Sequence, residues 1–278
     1  MTIRFGEADA LPRGRGFGCA TFNPGEDNTF LVDLNDTVPA LAGKNYTSIF
    51  LSAKDIGLDR AKRTYQAIDL FAEHPVRNGW YGRVNYTWSR SEGNTEGQTR
   101  SDNGQANPGA TTTWDTRELP EYTFGRLPND RTHQVKAYGF YELSNELTLG
   151  GNALIAAGRP KSCFGNHPTV DPSYDYGSNY NYCGNPTNDK LHTPSPRGSL
   201  GRLPTDARLD LNLAYRPVAM NGLALRMDVF NVFDKQVVQR LQETYNTATN
   251  TVNPEYDRVM SYAAPRAFRF TAEYNVKF

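Results

Sequence analysis

Residues 266–278, RAFRFTAEYNVKF, decide how the chain is read. Every second residue from Phe268 gives Phe268, Phe270, Ala272, Tyr274, Val276 and Phe278, and the intervening register gives Arg269, Thr271, Glu273, Asn275 and Lys277. A period of two with one apolar and one polar face is the mark of a β-strand. This strand is regular to its end, and the last residue is an aromatic.

Working outward, six more segments carry the same period: 62–73, 79–90, 132–143, 146–158, 206–216 and 222–234. Residues 79–90 set Trp80, Val84, Tyr86 and Trp88 against Arg83, Asn85, Thr87 and Ser89. Residues 206–216 set Leu209, Leu211, Leu213 and Tyr215 against Arg208, Asp210, Asn212 and Arg216. Residues 222–234 set Leu223, Leu225, Met227 and Val229 against Arg226 and Asp228. Segment 62–73 is the least regular, with Ile68, Leu70 and Ala72 on its apolar side.

The connections alternate in length. HPVRN (74–78), SN (144–145) and PVAMN (217–221) are short, whereas 91–130, 159–205 and 235–265 are long and rich in Gly, Asn, Asp, Ser, Thr and Pro. A compact soluble domain rarely carries several structureless loops of that length. An outer-membrane barrel carries them routinely, with short periplasmic turns on one rim and long extracellular loops on the other. Strand length agrees, since a tilted barrel strand needs about 9–11 residues to cross the hydrocarbon layer. Trp80, Trp88, Tyr215, Phe233, Phe268 and Phe278 stand near segment ends, where interfacial aromatics belong. The polar register carries both signs of charge (Arg83, Lys136, Arg208, Asp210, Arg226, Asp228, Arg269, Glu273), which suits a wet or plugged lumen and not a small dry core. The expected fold is all-β: an antiparallel transmembrane β-barrel segment, about seven membrane strands of a larger barrel, with long extracellular loops. A soluble β-sandwich shares the alternation but does not predict the loop asymmetry.

Composition sets wider bounds. The 278 residues hold 30 basic and 30 acidic side chains, so charge gives no case for nucleic acid as a partner. With 16 Tyr and 14 Phe the chain suits strands and turns. Mean hydropathy is well below zero, as for a soluble protein, but a barrel hides from hydropathy because only alternate residues meet lipid. No run approaches the roughly 20 apolar residues of a membrane helix. The start, MTIRFGEADALPRGRG, has no apolar core of a secretory signal.

The pattern resembles a known family. YAAPRAFRFTAEYNVKF (262–278) is similar to the final strand of TonB-dependent outer-membrane receptors, and LALRMDVFNVFDKQ (223–236) to their penultimate strand. YGRVNYTWSRSEGNTEG (81–97), GRLPNDRTHQVKAYGFYEL (125–143) and LTLGGNALIAAGRPKSC (147–163) resemble the Oar-like branch. The resemblance implies the outer membrane of a Gram-negative bacterium, contact with its lipid, and import of a small-molecule or peptide substrate. It implies an assembly signal at Phe268, Phe270, Tyr274 and Phe278, read by the barrel-assembly machinery. TonB would act only through a plug domain, and no plug, TonB box or signal is visible in these residues. Family barrels have about 22 strands, so the chain reads as the C-terminal part of a receptor, not expected to transport alone. Residues 1–61 then form an extracellular loop or hairpin region, with β-rich runs at 29–34 and 46–52, and 62–278 the barrel segment. The alternatives are a soluble or surface lectin- or adhesin-like module and a small autonomous or oligomeric barrel.

Under this resemblance the 159–205 loop is assembled through an oxidising periplasm, so a Cys163–Cys183 disulfide is preferred over two free thiols. Cys19 has no evident partner. The same loop reads DPSYDYGSNYNYCGNPTND, and Tyr174, Asp175, Tyr176, Asn179, Tyr180 and Tyr182 form a candidate ligand loop. Stacking on a ligand, calcium ligation and a plain surface loop all remain open there, although no EF-hand spacing is present. GRGFG (14–18) lacks the strand–turn–helix context of a phosphate cradle. His74, His133, His167 and His192 show no zinc spacing, and no HExxH or GxSxG occurs. Asp210 and Asp228 are read as lumen charges paired with Arg208 and Arg226, not as a glycosidase pair. No enzyme activity and no cofactor is expected.

Overall fold

The computed structural model describes residues 2–4, 19–21, 25–33, 46–97, 99–102, 104, 113–170, 176–185, 188–247 and 251–276. Seven long strands form one antiparallel meander: β1 (Arg63–Arg77), β2 (Trp80–Gly93), β3 (His133–Glu142), β4 (Leu147–Ala156), β5 (Asp206–Tyr215), β6 (Leu223–Phe230) and β7 (Ala267–Tyr274). Each pairs with its sequence neighbours in that order, and β1 and β7 are not paired with each other. These are the seven segments expected from the period of two. Among the described residues the sheet is therefore an open wall and not a closed barrel.

Register shows why the alternation matters. Ile68 lies opposite Trp88, Leu70 opposite Tyr86, and Ala72 opposite Val84. Val84 faces Ala137, Ala137 faces Ala153, and Ala153 faces Leu209. Leu213 then faces Met227, and Met227 faces Phe270. The seven apolar registers thus join into one band, while Asp69, Asn85, Lys136, Asn152, Asp210, Asp228 and Arg269 share the opposite face. A one-residue slip anywhere would turn a strand's apolar set to the wrong side. The band stays open to its surroundings: Ile68, Leu70, Val84, Ile155, Leu225 and Phe270 are all exposed, as a lipid-facing surface requires.

Three strand ends lie four residues from the sequence expectation. The first turn is not HPVRN. β1 runs on through His74, Pro75 and Val76, with a register shift between His74 and Arg77 that accommodates a residue lacking an N–H. The reversal is made by Asn78 and Gly79, at φ 52° and 76°, the left-handed pair that a two-residue hairpin needs. β6 stops at Phe230, short of the expected 234, because Asn231 turns left-handed at φ 50°. Its side chain donates to Ala264 O (2.9 Å) and accepts from Lys235 N (3.2 Å), fixing the exit of the chain. β7 ends at Tyr274, and Phe278 lies outside the described residues.

Outside the wall, short strands among the described residues also pair. Asn28–Asp33 pairs antiparallel with Tyr46–Leu51. Tyr182–Asn185 pairs with Asn188–Pro194, and Val238–Leu241 with Val259–Tyr262. The one described helix, Ala53–Ile56, is closed by a Ser52–Asp55 capping box and by Gly57 in the left-handed region. Buried side chains concentrate in the long connections and not in the wall: Leu119, Leu127, Cys163, Phe164, Tyr180, Leu203, Val237 and Tyr245 are all buried. The three long loops, read as structureless from composition, pack against one another.

Candidate functional site

The polar face of the wall carries a chain of paired charges. Glu73 meets Arg83 at 3.1 Å. Asp69 accepts from Thr87 Oγ1 at 2.5 Å. Asp228 accepts from Arg269 Nε at 2.8 Å and from Asn212 Nδ2 at 2.7 Å. Asp210 accepts from the backbone N–H of Asn231 at 2.7 Å. Two expectations are corrected here. The hydrogen-bonded partner of Asp228 is Arg269 and not Arg226, because Arg269 stands directly across on β7 while Arg226 lies two residues along the same strand. Arg208 pairs with Asp206 along its own strand, at 3.2 Å. Asp210 and Asp228 do not stand opposite each other either, since the register sets Asn212 across from Asp228.

At the rim where β2 ends and β3 begins, the loops form a compact assembly. Cys163 and Cys183 are joined by a disulfide with Cα atoms 5.6 Å apart. Closing a ring of this size stabilises by about 3 kcal/mol on the chain-entropy account. Tyr180 and Tyr182 pack on Leu119, with Val170 and Tyr176 around them. The Tyr182 hydroxyl donates to Glu121 Oε2 at 2.5 Å, and the same oxygen lies 3.1 Å from His167 Nε2. His167 Nδ1 accepts from the backbone N–H of Thr169 at 3.2 Å, so the ring proton sits on Nε2 and faces Glu121. Burial, then the bond to Glu121, holds the Tyr182 hydroxyl far above the usual tyrosine range.

The candidate ligand loop is therefore divided. Tyr180 and Tyr182 are loop core. Tyr176 is half-buried, with its hydroxyl on Asp115 Oδ2 at 2.7 Å, and Asn179 Nδ2 donates to Tyr176 O at 2.8 Å. Tyr174 and Asp175 lie outside the described residues. The aromatic surface at this rim comes instead from Tyr122 and Phe124, 44% and 49% exposed. Tyr122 is held at φ 56°, a region a bulky residue enters only when its surroundings force it. Sequence reasoning passed over this pair because neither lies in a periodic segment. The signal available was the cluster of aromatics in LPEYTF (119–124).

Three buried ion groups bind the loops together, and none was legible beforehand. Asp130, 1% exposed, accepts from the backbone of Ser91 (2.6 Å) and from Thr132 Oγ1 (3.2 Å), and pairs with Arg126 and Arg202. Glu243 receives Arg159 Nη1 on both oxygens, at 3.2 and 3.1 Å, and the backbone N–H of Ser162 at 3.0 Å. Burial raises the Glu243 carboxyl despite the opposing Arg159 charge. Arg100, Asp102 and Arg197 form the third group, in which burial pulls the Arg100 guanidinium down. Gly125 packs so closely on this region that a Cβ would meet Arg197 O at 2.0 Å. Among the described residues no cluster of His, Cys, Asp and Glu is placed to hold a metal ion.

No protein-family model matches the chain. In sequence it is similar to the TonB-dependent transporter Oar of Myxococcus xanthus, 26% identical over 287 residues, which takes in 87% of this chain and 25% of that protein. The chain spans about a quarter of the length of the curated relative it matches. Among solved structures it is similar to the outer membrane transporter YddB from Escherichia coli, at 11% identity and a TM-score of 0.49 over 90% of this chain and 28% of that one. It is also similar to the ferripyoverdine receptor of the outer membrane of Pseudomonas aeruginosa, at 13% identity and a TM-score of 0.43 over 89% and 23%. These structural likenesses are loose, and the sequence match carries the relationship. In sequence, then, the chain is similar to a TonB-dependent transporter, and its seven-stranded antiparallel wall with alternating short and long connections agrees with that likeness.

Proposed function

We propose that the chain supplies wall strands and extracellular loops to an outer-membrane receptor that captures a solute for TonB-energised import. The observation that carries this reading is the register. It aligns an unbroken apolar band on one face of seven strands, a charged network on the other, and the packed loops at one rim. Lipid suits the band, water and a plug suit the network, and the long loops suit the cell exterior. The outer edges of β1 and β7 have no partner among the described residues. Further barrel strands would cover them, since hydrocarbon does not tolerate an unpaired edge. In this reading residues 1–61 stand above the wall, and the loop rim, with Tyr122, Phe124, Tyr176 and Asn179, meets the substrate. The last strand, through Phe268, Phe270, Tyr274 and Phe278, is what the barrel-assembly machinery would engage. TonB would couple through a plug and not through these residues.

Two arms test the proposal. Single cysteines at Leu200, in a long loop, and Asn221, in a short turn, are labelled in intact cells with a membrane-impermeant thiol reagent. Leu200→Cys should react from outside and Asn221→Cys only after the outer membrane is opened; the reverse order overturns the orientation. Medium depletion is then compared between cells with and without the gene, each with and without an uncoupler. A solute removed only by energised, gene-bearing cells identifies the cargo, and the absence of any such solute removes transport from the proposal.

A further inference from the structure

Two arginines lie inside the loop assembly with a single carboxylate between them. Arg100 and Arg197 are each 2% exposed and Asp102 is 3% exposed. Asp102 Oδ1 is 3.1 Å from Arg100 Nε, and its Oδ2 is 3.2 Å from Arg197 Nε. Arg100 rests over the Phe164 ring at 4.6 Å, and its Nη1 makes only a long 3.5 Å contact with Asn179 O. Arg100 Nη2 and Arg197 Nη1 remain buried N–H donors with no partner. Glu96, whose charge reaches Arg100, is engaged by Ser101 through both carboxylate oxygens and forms no ion pair with either arginine among the described residues. Glu243 is taken by Arg159, and Asp130 by Arg126 and Arg202.

At ion-pair distance the group therefore holds two buried cations against one anion among the described residues. A guanidinium does not give up its proton under ordinary conditions. An uncompensated buried charge costs several kcal/mol, and orphaned buried donors call for an occupant. Ser195 Oγ and Asn181 Nδ2 are two more buried donors without a partner, on backbones joined by a 2.9 Å Ser195 N–H to Asn181 O bond, and Arg197 follows Ser195 by two residues.

We propose that Arg100 and Arg197 hold one small monovalent anion of halide size. A water molecule would satisfy the N–H groups and leave the charge uncancelled, whereas an anion does both. At 2% exposure the arginines are out of reach of a transported solute, which limits the proposed occupant to a single-atom ion. The ion would tie the 100–102 stretch of the first long loop to the 195–197 stretch of the second, so the firmness of the rim would follow halide concentration. This site stands whether or not the chain transports anything.

The test uses the full chain in detergent, in gluconate buffer of constant ionic strength, with chloride or bromide replacing gluconate. Resistance of the loops to trypsin should rise with halide, each tenfold increase above the dissociation constant adding tenfold to the closed-to-open ratio. Arg100→Met keeps an apolar stem under Phe164 and leaves Arg197 and Asp102 balanced, so its protection should be indifferent to halide. A bromide-grown crystal of the wild type should show an anomalous peak between Arg100 and Arg197. Indifference of the wild type, an unchanged dependence in Arg100→Met, or no bromide peak would each overturn the site. If Arg100→Met fails to fold, the wild-type bromide peak decides alone.

Discussion

Placing an arginine on each face of the wall, at matched depth, tests the assignment of lipid and lumen directly. β3 runs from His133 to Glu142. Nine steps of about 3.4 Å give about 31 Å along the strand. At a tilt near 45° that is about 22 Å of height, close to the roughly 25 Å apolar band of an outer-membrane barrel. Ala137 lies near the middle, in the apolar band, opposite Val84 and Ala153. An arginine at the lipid midplane costs about 2–4 kcal/mol, which is about a 30- to 900-fold loss in the folding constant. Asn152 is one strand away on the other face, opposite Tyr138 and Asp210. There an arginine finds a carboxylate across the strand, a contact worth about 0.2–1 kcal/mol in its favour. Both variants are assembled in cells, and isolated outer membranes are titrated with urea, following protease protection of the wall. Ala137→Arg should lower the midpoint strongly at unchanged slope, and Asn152→Arg should leave it within about 1 kcal/mol of wild type. If Asn152→Arg costs as much as Ala137→Arg, the two faces have been assigned wrongly or neither meets lipid.

Two further outcomes follow from the loop assembly. Cys163→Ser should remove about 3 kcal/mol of local stability, seen as faster proteolytic cleavage within 159–205 while the wall strands stay protected; equal cleavage with and without the bond would show that the buried ion groups alone hold the loop. The Tyr182 hydroxyl is raised in the folded state, so its contribution is complete below the ordinary tyrosine value near 10 and is lost as pH rises through the folded-state value. One tyrosine should therefore form phenolate only together with loop opening, and that step should vanish in Tyr182→Phe, which starts about 1 kcal/mol less stable from the lost bond to Glu121; a Tyr182 that ionises near 10 with the loops closed would refute it.

Much of the wall was legible in the sequence and little of the loop assembly was. Strand polarity is written locally: Leu209, Leu211, Leu213 and Tyr215 need no distant partner to declare their face, because the β period is two wherever the strand lies. The loop assembly has no such period. Arg100 and Arg197 are 97 positions apart, and nothing in their neighbours marks them as sharing Asp102. Glu243 finds Arg159 across 84 residues. Tyr180 and Tyr182 read as surface ligands because aromatics among Asn and Gly look exposed, yet the disulfide and Leu119 give them a core to enter.

By itself the sequence determined the seven strands, their two faces, their antiparallel succession and the alternation of short and long connections. Only the tertiary structure decided where β1 turns, that Asp228 pairs with Arg269, and that the long loops close into a packed rim with buried charges. The reason is physical. Face polarity follows from backbone geometry that repeats every two residues, whereas pairing between loops depends on which side chains, distant in sequence, the folded loops bring within about 3 Å of each other.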